Sequence, residues 1–383
     1  MKVVVLSSGH GAQDPRIFLK QCVSLREAGH EVVFVVPHNQ NEVVKGIQIQ
    51  AIPRPRSRLE RIAITPWKVL RAAIGLRANI YHFHDPELIP IGLILRALGK
   101  KVVYDAHEDL PQDTLDKSWI PIGLRRIVSW LLRSLENIAV HQYSGVITVN
   151  EIIATRFRRC NSKTIVINNY PIMKELPYDV SNPILRYSSK KVVNFGGISK
   201  FRCIQEIVEA SDLLPRHANV RFIVGGGTDS TELLAQISRL PGWRGVQYVG
   251  SVSRREMFSI LAESAIAIIL YSNTPNHYQV GSNRLFESLG MGLPVITSNF
   301  PAWIDLVEGN DCGICVDPEN PECIANAIQY LISNPQVAAE KGRRGRSLAV
   351  ERFNWEVEGP RLLRFYENLN HRVPPDCVLP RAD

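Results

Sequence analysis

Long apolar runs are absent from this chain of 383 residues: it has no stretch of about 18 consecutive apolar residues, so no membrane-spanning helix is expected. The amino terminus, MKVVVLSSGHGAQD, carries one lysine and a short apolar stretch but no small-residue cleavage pattern, and reads as the first buried strand of a cytosolic protein. Cysteine is odd in number and scattered (Cys22, Cys160, Cys203, Cys312, Cys315, Cys323, Cys377), which argues against a disulfide framework and suits a reducing compartment. Cys312-Gly-Ile-Cys315, with Cys323 nearby, lacks the second C-x-x-C or close histidine that a four-ligand zinc site needs, and reads as packing. Neither a known nucleic-acid reading motif nor a basic stretch interleaved with stacking aromatics is found. The formal net charge of +8 therefore points to an anionic partner that is not nucleic acid.

What is present is a rhythm. Short β-branched runs alternate with helical patterns through the first third: KVVVLSS, IFLKQCVSLREAG, HEVVFVVP, NIYHFH, PELIPIGLILRALG, KKVVYDAHED and GVITVNE. Residues 171–190 lose that periodicity and gather proline and serine, and the rhythm restarts with KVVNFGGIS, IQEIVEASDLL, VRFIVGGG and their successors. The expected fold is α/β, with two doubly wound Rossmann-like domains facing across a cleft: residues 1–170, a linker at 171–190, residues 191–354, and a carboxyl-terminal helix and tail at 355–383 packing back on the first domain. Ligands of open parallel sheets bind beyond the carboxyl ends of the strands, so the loops that follow strands are the ones to inspect.

In VGSNRLFESLGMGLPVITS, Gly281, Ser282 and Asn283 precede the apolar positions Leu285, Phe286 and Leu289, and Gly292-Leu293-Pro294 stops the helix. Its first turn offers free N–H groups to an anion, and Glu287 lies one turn on from Asn283, roughly 6 Å along the axis and on the same face, able to accept hydroxyl hydrogen bonds. The plain alternative is a capped helix with a solvated glutamate. SGHGAQD and GGGTDS match a dinucleotide fingerprint only in part: Asp14 and Ser230 stand where the third glycine belongs, which disfavours a nicotinamide enzyme and leaves tight turns as the alternative. Gly196-Gly197 after a strand, with Lys200 and Arg202 just beyond, combines flexible backbone donors with cations suited to a diphosphate, or else forms a solvated basic loop. His82, His84 and Asp85 end one strand and Asp105, His107, Glu108 and Asp109 the next. Without H-E-x-x-H or D-x-D spacing they read as residues lining the mouth of a cleft rather than as metal ligands.

Residues 53–77 hold seven basic residues against one acid, and residues 117–133 add four cations with Trp119 and Trp130 among aliphatics. Such stretches can lie on an anionic membrane surface, or can be ordinary amphipathic helices with solvated charges.

Together, GSNRLFESLGMGLPVITSNFPAWIDLVEGNDCGICVDPENPECIANAI, QDPRIFLKQCVSLREAGHEV, HFHDPELIPIGLILRALGKKVVYDAHED, VINNYP and GGISKFRCIQEIVEA resemble the GT-B glycosyltransferases of the large retaining family 4 over nearly the whole chain, with a likeness to bacterial members that build surface polysaccharides. The resemblance implies transfer of a sugar, with retention, from a nucleotide-diphosphate donor, a UDP-sugar being favoured with the base left open, to a lipid-linked or oligosaccharide acceptor, with no metal and no other cofactor. It implies a catalytic set of His107, Arg202 and Glu287. Donor contacts would come from Gly11, Gly197, Lys200, Arg202, Gly226, Val252, Gln279, Gly281, Ser282, Asn283, Arg284 and Glu287, and Asp14, Arg16, Asp85 and His107 would stand on the acceptor side. Two positions depart from the family pattern. Gln279 stands eight before Glu287 where a second glutamate is usual, and Ile198 stands where many members have arginine, a loss for which Arg284 is the candidate compensation. The rival expectations are an epimerase or phosphorylase on the same fold, or a non-catalytic nucleotide-sugar or polyanion binder. The expected location is cytoplasmic, with peripheral attachment to the inner face of the plasma membrane.

Overall fold

Near-continuous β-branched runs such as Val3-Val4-Val5 are what a strand buried on both faces requires, and they form the centre of a parallel sheet. The computed structural model describes residues 1–116, 120–178, 186–228, 230–274, 277–278 and 281–370. The chain divides into two units, Met1–Asn169 with the stretch from Glu358 onward, and Tyr170–Val357.

The first unit holds β1 (Lys2–Leu6), β2 (Glu31–Pro37), β3 (Glu42–Val44), β4 (Ile47–Ile52), β5 (Ile80–Phe83), β6 (Lys101–Ala106), β7 (Gly145–Thr148) and β8 (Thr164–Val166), in the order β3-β4-β2-β1-β5-β6-β7-β8. All pairings are parallel except β3 with β4, an edge hairpin whose two-residue turn places Lys45 and Gly46 at φ 50° and 74°, both left-handed as that turn demands. The chain leaves β1 for β2 on one side, and β5 lies on the other. The carboxyl ends of β1 and β5 therefore flank a topological switch point, where open α/β sheets bind ligands. One face of the sheet is covered by the helices Thr65–Ile74, Ile89–Ala97, Ile122–Gln142 and Glu151–Arg158, which share a core of Val4, Leu6, Val69, Leu95, Val140 and Phe157.

The second unit holds β9 (Lys191–Phe195), β10 (Arg221–Gly225), β11 (Val246–Gly250), β12 (Ile266–Ile269), β13 (Val295–Ser298) and β14 (Gly313–Val316), all parallel, in the order β11-β10-β9-β12-β13-β14. Here the switch point lies between β9 and β12. Separate cores on the two faces form around Leu285, Leu289 and Trp303 and around Ile207, Ile324 and Ile328.

The described part of the proline- and serine-rich stretch is packed rather than loose. Leu176 and Tyr187 are buried, and Arg186 donates to the carbonyls of Ser264, Met291 and Leu261 at 3.0, 2.6 and 2.7 Å. The last helix, Trp355–Asn370, begins in the second unit, where the Trp355 N–H donates to the Pro171 carbonyl. From Glu358 it belongs to the first unit, and there the Tyr366 hydroxyl lies 2.6 Å from His82 Nδ1. Among the described residues no helix is long and apolar enough to cross a membrane.

Candidate active site

In the first unit the loops after β1, β5 and β6 converge on one carboxylate. Asp14 caps the π-helical segment Pro15–Cys22, accepting from the N–H groups of Arg16 and Ile17, and this segment carries Arg16, Lys20 and Gln21 into the interior. Arg16 forks onto Asp105, Nη2 to Oδ1 at 2.8 Å and Nε to Oδ2 at 3.2 Å, and its Nη1 donates to the Ile167 carbonyl at 2.9 Å. Gln21 donates to Asp105 Oδ2 at 2.6 Å. His84 Nδ1 and His107 Nε2 lie 3.4 and 3.5 Å from that oxygen and 3.0 Å from each other. Burial works against charge on Asp105, but the Arg16 guanidinium and His107 hold its carboxyl well below the usual range. Burial also drives His82 well below its ordinary value and His84 down to about 4, so both rings are neutral near pH 7. His107 is the member of this cluster that reaches the surface, with 19% of its side chain exposed.

A second layer surrounds the β1 loop. Asp85 accepts from the Ser7 hydroxyl and the Ser8 N–H, both at 2.7 Å, and from Arg61 at 3.3 Å. His10 bridges Asp14 and Asp85 at 3.2 and 3.5 Å. Burial lowers the affinity of its ring for a proton, but the two carboxylates outweigh that and raise its pKa.

Three expectations are corrected here. Asp105 lies within β6 and His82, His84 and Asp85 are enclosed, so this group is a buried network rather than the rim of a cleft. Arg16 is 4% exposed and bound on three N–H groups, so it positions Asp105 and does not offer its charge to an acceptor. Asp85 likewise holds the β1 loop. Ligand atoms of His82, His84 and Asp105 do lie within 4.8 Å of one another, but both Asp105 oxygens already accept from Arg16 and Gln21, and the guanidinium disfavours a cation there. Cys312 and Cys315 are free thiols, pushed up by burial to about 12 and about 11. Gly11 stands in open space: a Cβ there would touch nothing among the described residues, so their packing does not require the glycine.

In the second unit the glycine loops lock together backbone to backbone. Gly226 has φ +141°, and a Cβ on it would fall 1.5 Å from the Gly196 carbonyl oxygen. Gly196 in turn leaves room for Arg202, whose Nη1 would lie 2.6 Å from an added Cβ. Gly197 is exposed beside them, and Lys200 points to solvent. Arg202 Nη1 donates to the Tyr271 hydroxyl at 3.1 Å, and that hydroxyl donates to Ser282 Oγ at 3.3 Å. The guanidinium sits 5.0 Å from the Tyr271 ring centre, and its buried Nε has no partner among the described residues. Tyr271 thus ties the cation after β9 to the residue that opens the helix Asn283–Gly290.

Ser282 does not cap this helix with its side chain; Asn283 and Gly281 are exposed beside it. Glu287 is 3% exposed, which removes the solvated-glutamate alternative. Its carboxylate accepts from Arg254 Nη1 at 2.8 Å and from Arg284 Nη1, so Arg284 is paired with Glu287 rather than free for a diphosphate. Arg254 also reaches Glu175 at 3.1 Å. Ile198 is buried with Ile204, Val224, Leu233 and Ile237, and Val252 is half-buried. Gln279 lies outside the described residues. Sequence reading missed Tyr271 and Arg254. The signal for Arg254 was a basic pair at a helix start, where the dipole disfavours cations and a carboxylate partner is called for.

Two sequence profiles match the chain, "Glycosyltransferase Family 4" over residues 16–170 and "Glycosyl transferases group 1" over residues 185–348. The chain belongs to the GT-B glycosyltransferases. D-rhamnosyltransferase WbpZ of Pseudomonas aeruginosa is 28% identical over 279 residues, 70% of this chain and 68% of WbpZ. The capsular polysaccharide biosynthesis glycosyltransferase CapM of Staphylococcus aureus is 21% identical over 250 residues, 60% of this chain and 62% of CapM. The chain spans only 9% of the length of another relative, sucrose-phosphate synthase 4 of Arabidopsis thaliana. The solved structure of Anabaena Alr3699/HepE in complex with UDP superposes with a TM-score of 0.70 at 17% identity, covering 96% of this chain and 100% of that one, a likeness of fold.

Proposed function

We propose that this glycosyltransferase moves a sugar, with retention of configuration, from a nucleotide-diphosphate donor, UDP-linked by preference, to a lipid-linked or oligosaccharide acceptor in surface polysaccharide synthesis. The observation that carries the reading is the Arg202–Tyr271–Ser282 chain: it holds a guanidinium beside the first turn of a helix whose Glu287 is buried and ready to exchange an arginine for ribose hydroxyls. Arg202, Lys200 and the helix start would neutralise the leaving diphosphate without a metal, and the departing phosphate would take the acceptor's proton. His107, fixed by His84 and Asp105, would stand near the transferred sugar. The names of WbpZ and CapM, and the UDP in the HepE complex, support the donor class and the polysaccharide setting. The exposed basic and tryptophan-bearing helices of the first unit support peripheral work at the inner membrane face.

The test is isothermal titration without metal against UDP-, GDP- and ADP-sugars, repeated on Glu287→Ala and Arg202→Ala. Selective binding to a UDP-sugar that is lost in both variants is the expected result. Equal binding in the variants overturns the site, and binding without sugar transfer to any acceptor fraction overturns the reaction.

A further inference from the structure

The helix Ile122–Gln142 is covered by the core along only a narrow strip: Glu136, Ala139 and Val140 are its buried residues. Leu124, Ile127, Leu131, Leu135 and Ile138, spaced 3, 4, 4 and 3 apart, form one stripe about 21 Å long on its outer surface, each between 44% and 65% exposed. Aliphatic side chains in an unbroken line are not a solvated helix face, where charge is the rule. Trp130, 65% exposed, flanks the stripe, and next to it a cavity of about 450 Å³ opens between this helix, the helix Leu110–Asp116 and the helix Glu151–Arg158.

The cavity is lined by Arg126, Arg133, Arg156 and Arg159, with Ser129 and Trp130. One acid, Asp109, also lines it, two residues beyond His107. Arg156 is engaged, by Glu136 at 2.7 Å and Asp109 at 3.7 Å. Arg126, Arg133 and Arg159 have no acidic partner among the described residues. Unpaired guanidiniums converging on a concave site beside an exposed aliphatic stripe match a ligand with a multiply charged anionic head and a long apolar tail.

We propose that this cavity takes the diphosphate head of a polyprenyl lipid while the aliphatic stripe enters the apolar layer of the membrane. A diphosphate substituted at both ends still carries about two negative charges, one on each phosphate, closer to the excess charge of the cavity than the single charge of a phosphodiester lipid. Arginine stems can extend along the apolar surface while their heads stay at the interface. That this lipid is the acceptor rests on the transferase reading; the binding itself does not. Asp109, which lines the cavity, lies two residues beyond His107 on the same loop.

The test is flotation of the full chain with neutral phosphatidylcholine vesicles, with vesicles also containing phosphatidylglycerol, and with vesicles of matched charge containing a polyprenyl diphosphate. Inorganic pyrophosphate titrates the cavity in solution. The expected result is preference for the polyprenyl diphosphate, competed by pyrophosphate. Arg126→Ala/Arg133→Ala should weaken that binding roughly thirtyfold. Ile127→Ser/Leu131→Ser should lose the vesicles but keep pyrophosphate. Equal binding to both anionic vesicles, or pyrophosphate binding unchanged by the arginine variant, overturns the site. Nucleotide-sugar titration of the same variants separates the two failures: intact donor binding with lost vesicle preference supports both readings, and vesicle preference without any donor binding removes the transferase reading alone.

Discussion

The carboxylate of Glu287 lies between two guanidiniums, Arg254 on one oxygen and Arg284 on the other. A buried acid held this way is fixed in position, and a ligand that takes one of its oxygens must release an arginine. Arg254→Ala leaves Glu287 with one partner and frees Glu175. It should lower stability by about 1–3 kcal/mol and change donor affinity, read as a thermal midpoint and a titration on the same sample. Unchanged donor affinity would separate Glu287 from the donor.

The two glycines Gly226 and Gly11 should behave oppositely. Gly226→Ala forces a Cβ onto the Gly196 carbonyl at a φ that side chains avoid, and should cost more than about 3 kcal/mol in denaturant unfolding. Gly11→Ala meets nothing and should leave unfolding unchanged while lowering transfer rate. A drop in stability of similar size in both would show that Gly11 is structural.

Arg16→Ala strips a buried carboxylate of its fork and should destabilise the first unit by about 3–5 kcal/mol. Adding Asp105→Asn should recover part of that loss, because the uncompensated charge goes with it. Unfolding of the single and double variants checks this; no recovery would mean that packing rather than charge carries the effect.

Acid should weaken the fold before the ordinary carboxylate range. His84 titrates near 4 when folded and near 6.5 when unfolded, so the unfolded chain takes the proton first and stability falls as pH drops from about 6.5 towards 4, on the order of 3 kcal/mol from this ring. His82 acts in the same direction. His10 acts oppositely: its raised value adds stability below about 6.5 that is lost as pH rises through its folded pKa. Asp14, at about 2 against burial and mainly through the His10 hydrogen bond, contributes stability that is lost below about pH 4. Asp105, His107 and His10 all act on His84, and His82 shifts in the same direction, so His84→Asn should flatten the profile in part only, as thermal midpoints from pH 7 to 4 will show. An unchanged slope would place the acid sensitivity elsewhere.

The strand and helix rhythm was legible because each parallel strand is a β-branched run and each crossover helix has its own apolar period. Arg202 and Glu287 were legible as candidates because each belongs to a short motif at the start of a helix. The interior of the first unit was not. Arg16 and Asp105 are 89 positions apart, and nothing in the pattern around either announces that a charge there is enclosed. The π-helical turn at Pro15–Cys22 was hidden by a pattern that an α-helix also satisfies. Tyr271 and Arg254 were passed over for a similar reason: their roles lie in contacts with Arg202, Ser282 and Glu287, made only once the sheet has assembled.

The Ile198 side chain fills a small satellite core with Ile204, Val224, Leu233 and Ile237, so an arginine introduced at this position would place a charge among aliphatics. A further positive charge beside this loop would have to come from solvent-facing neighbours instead, as the exposed Lys200 does.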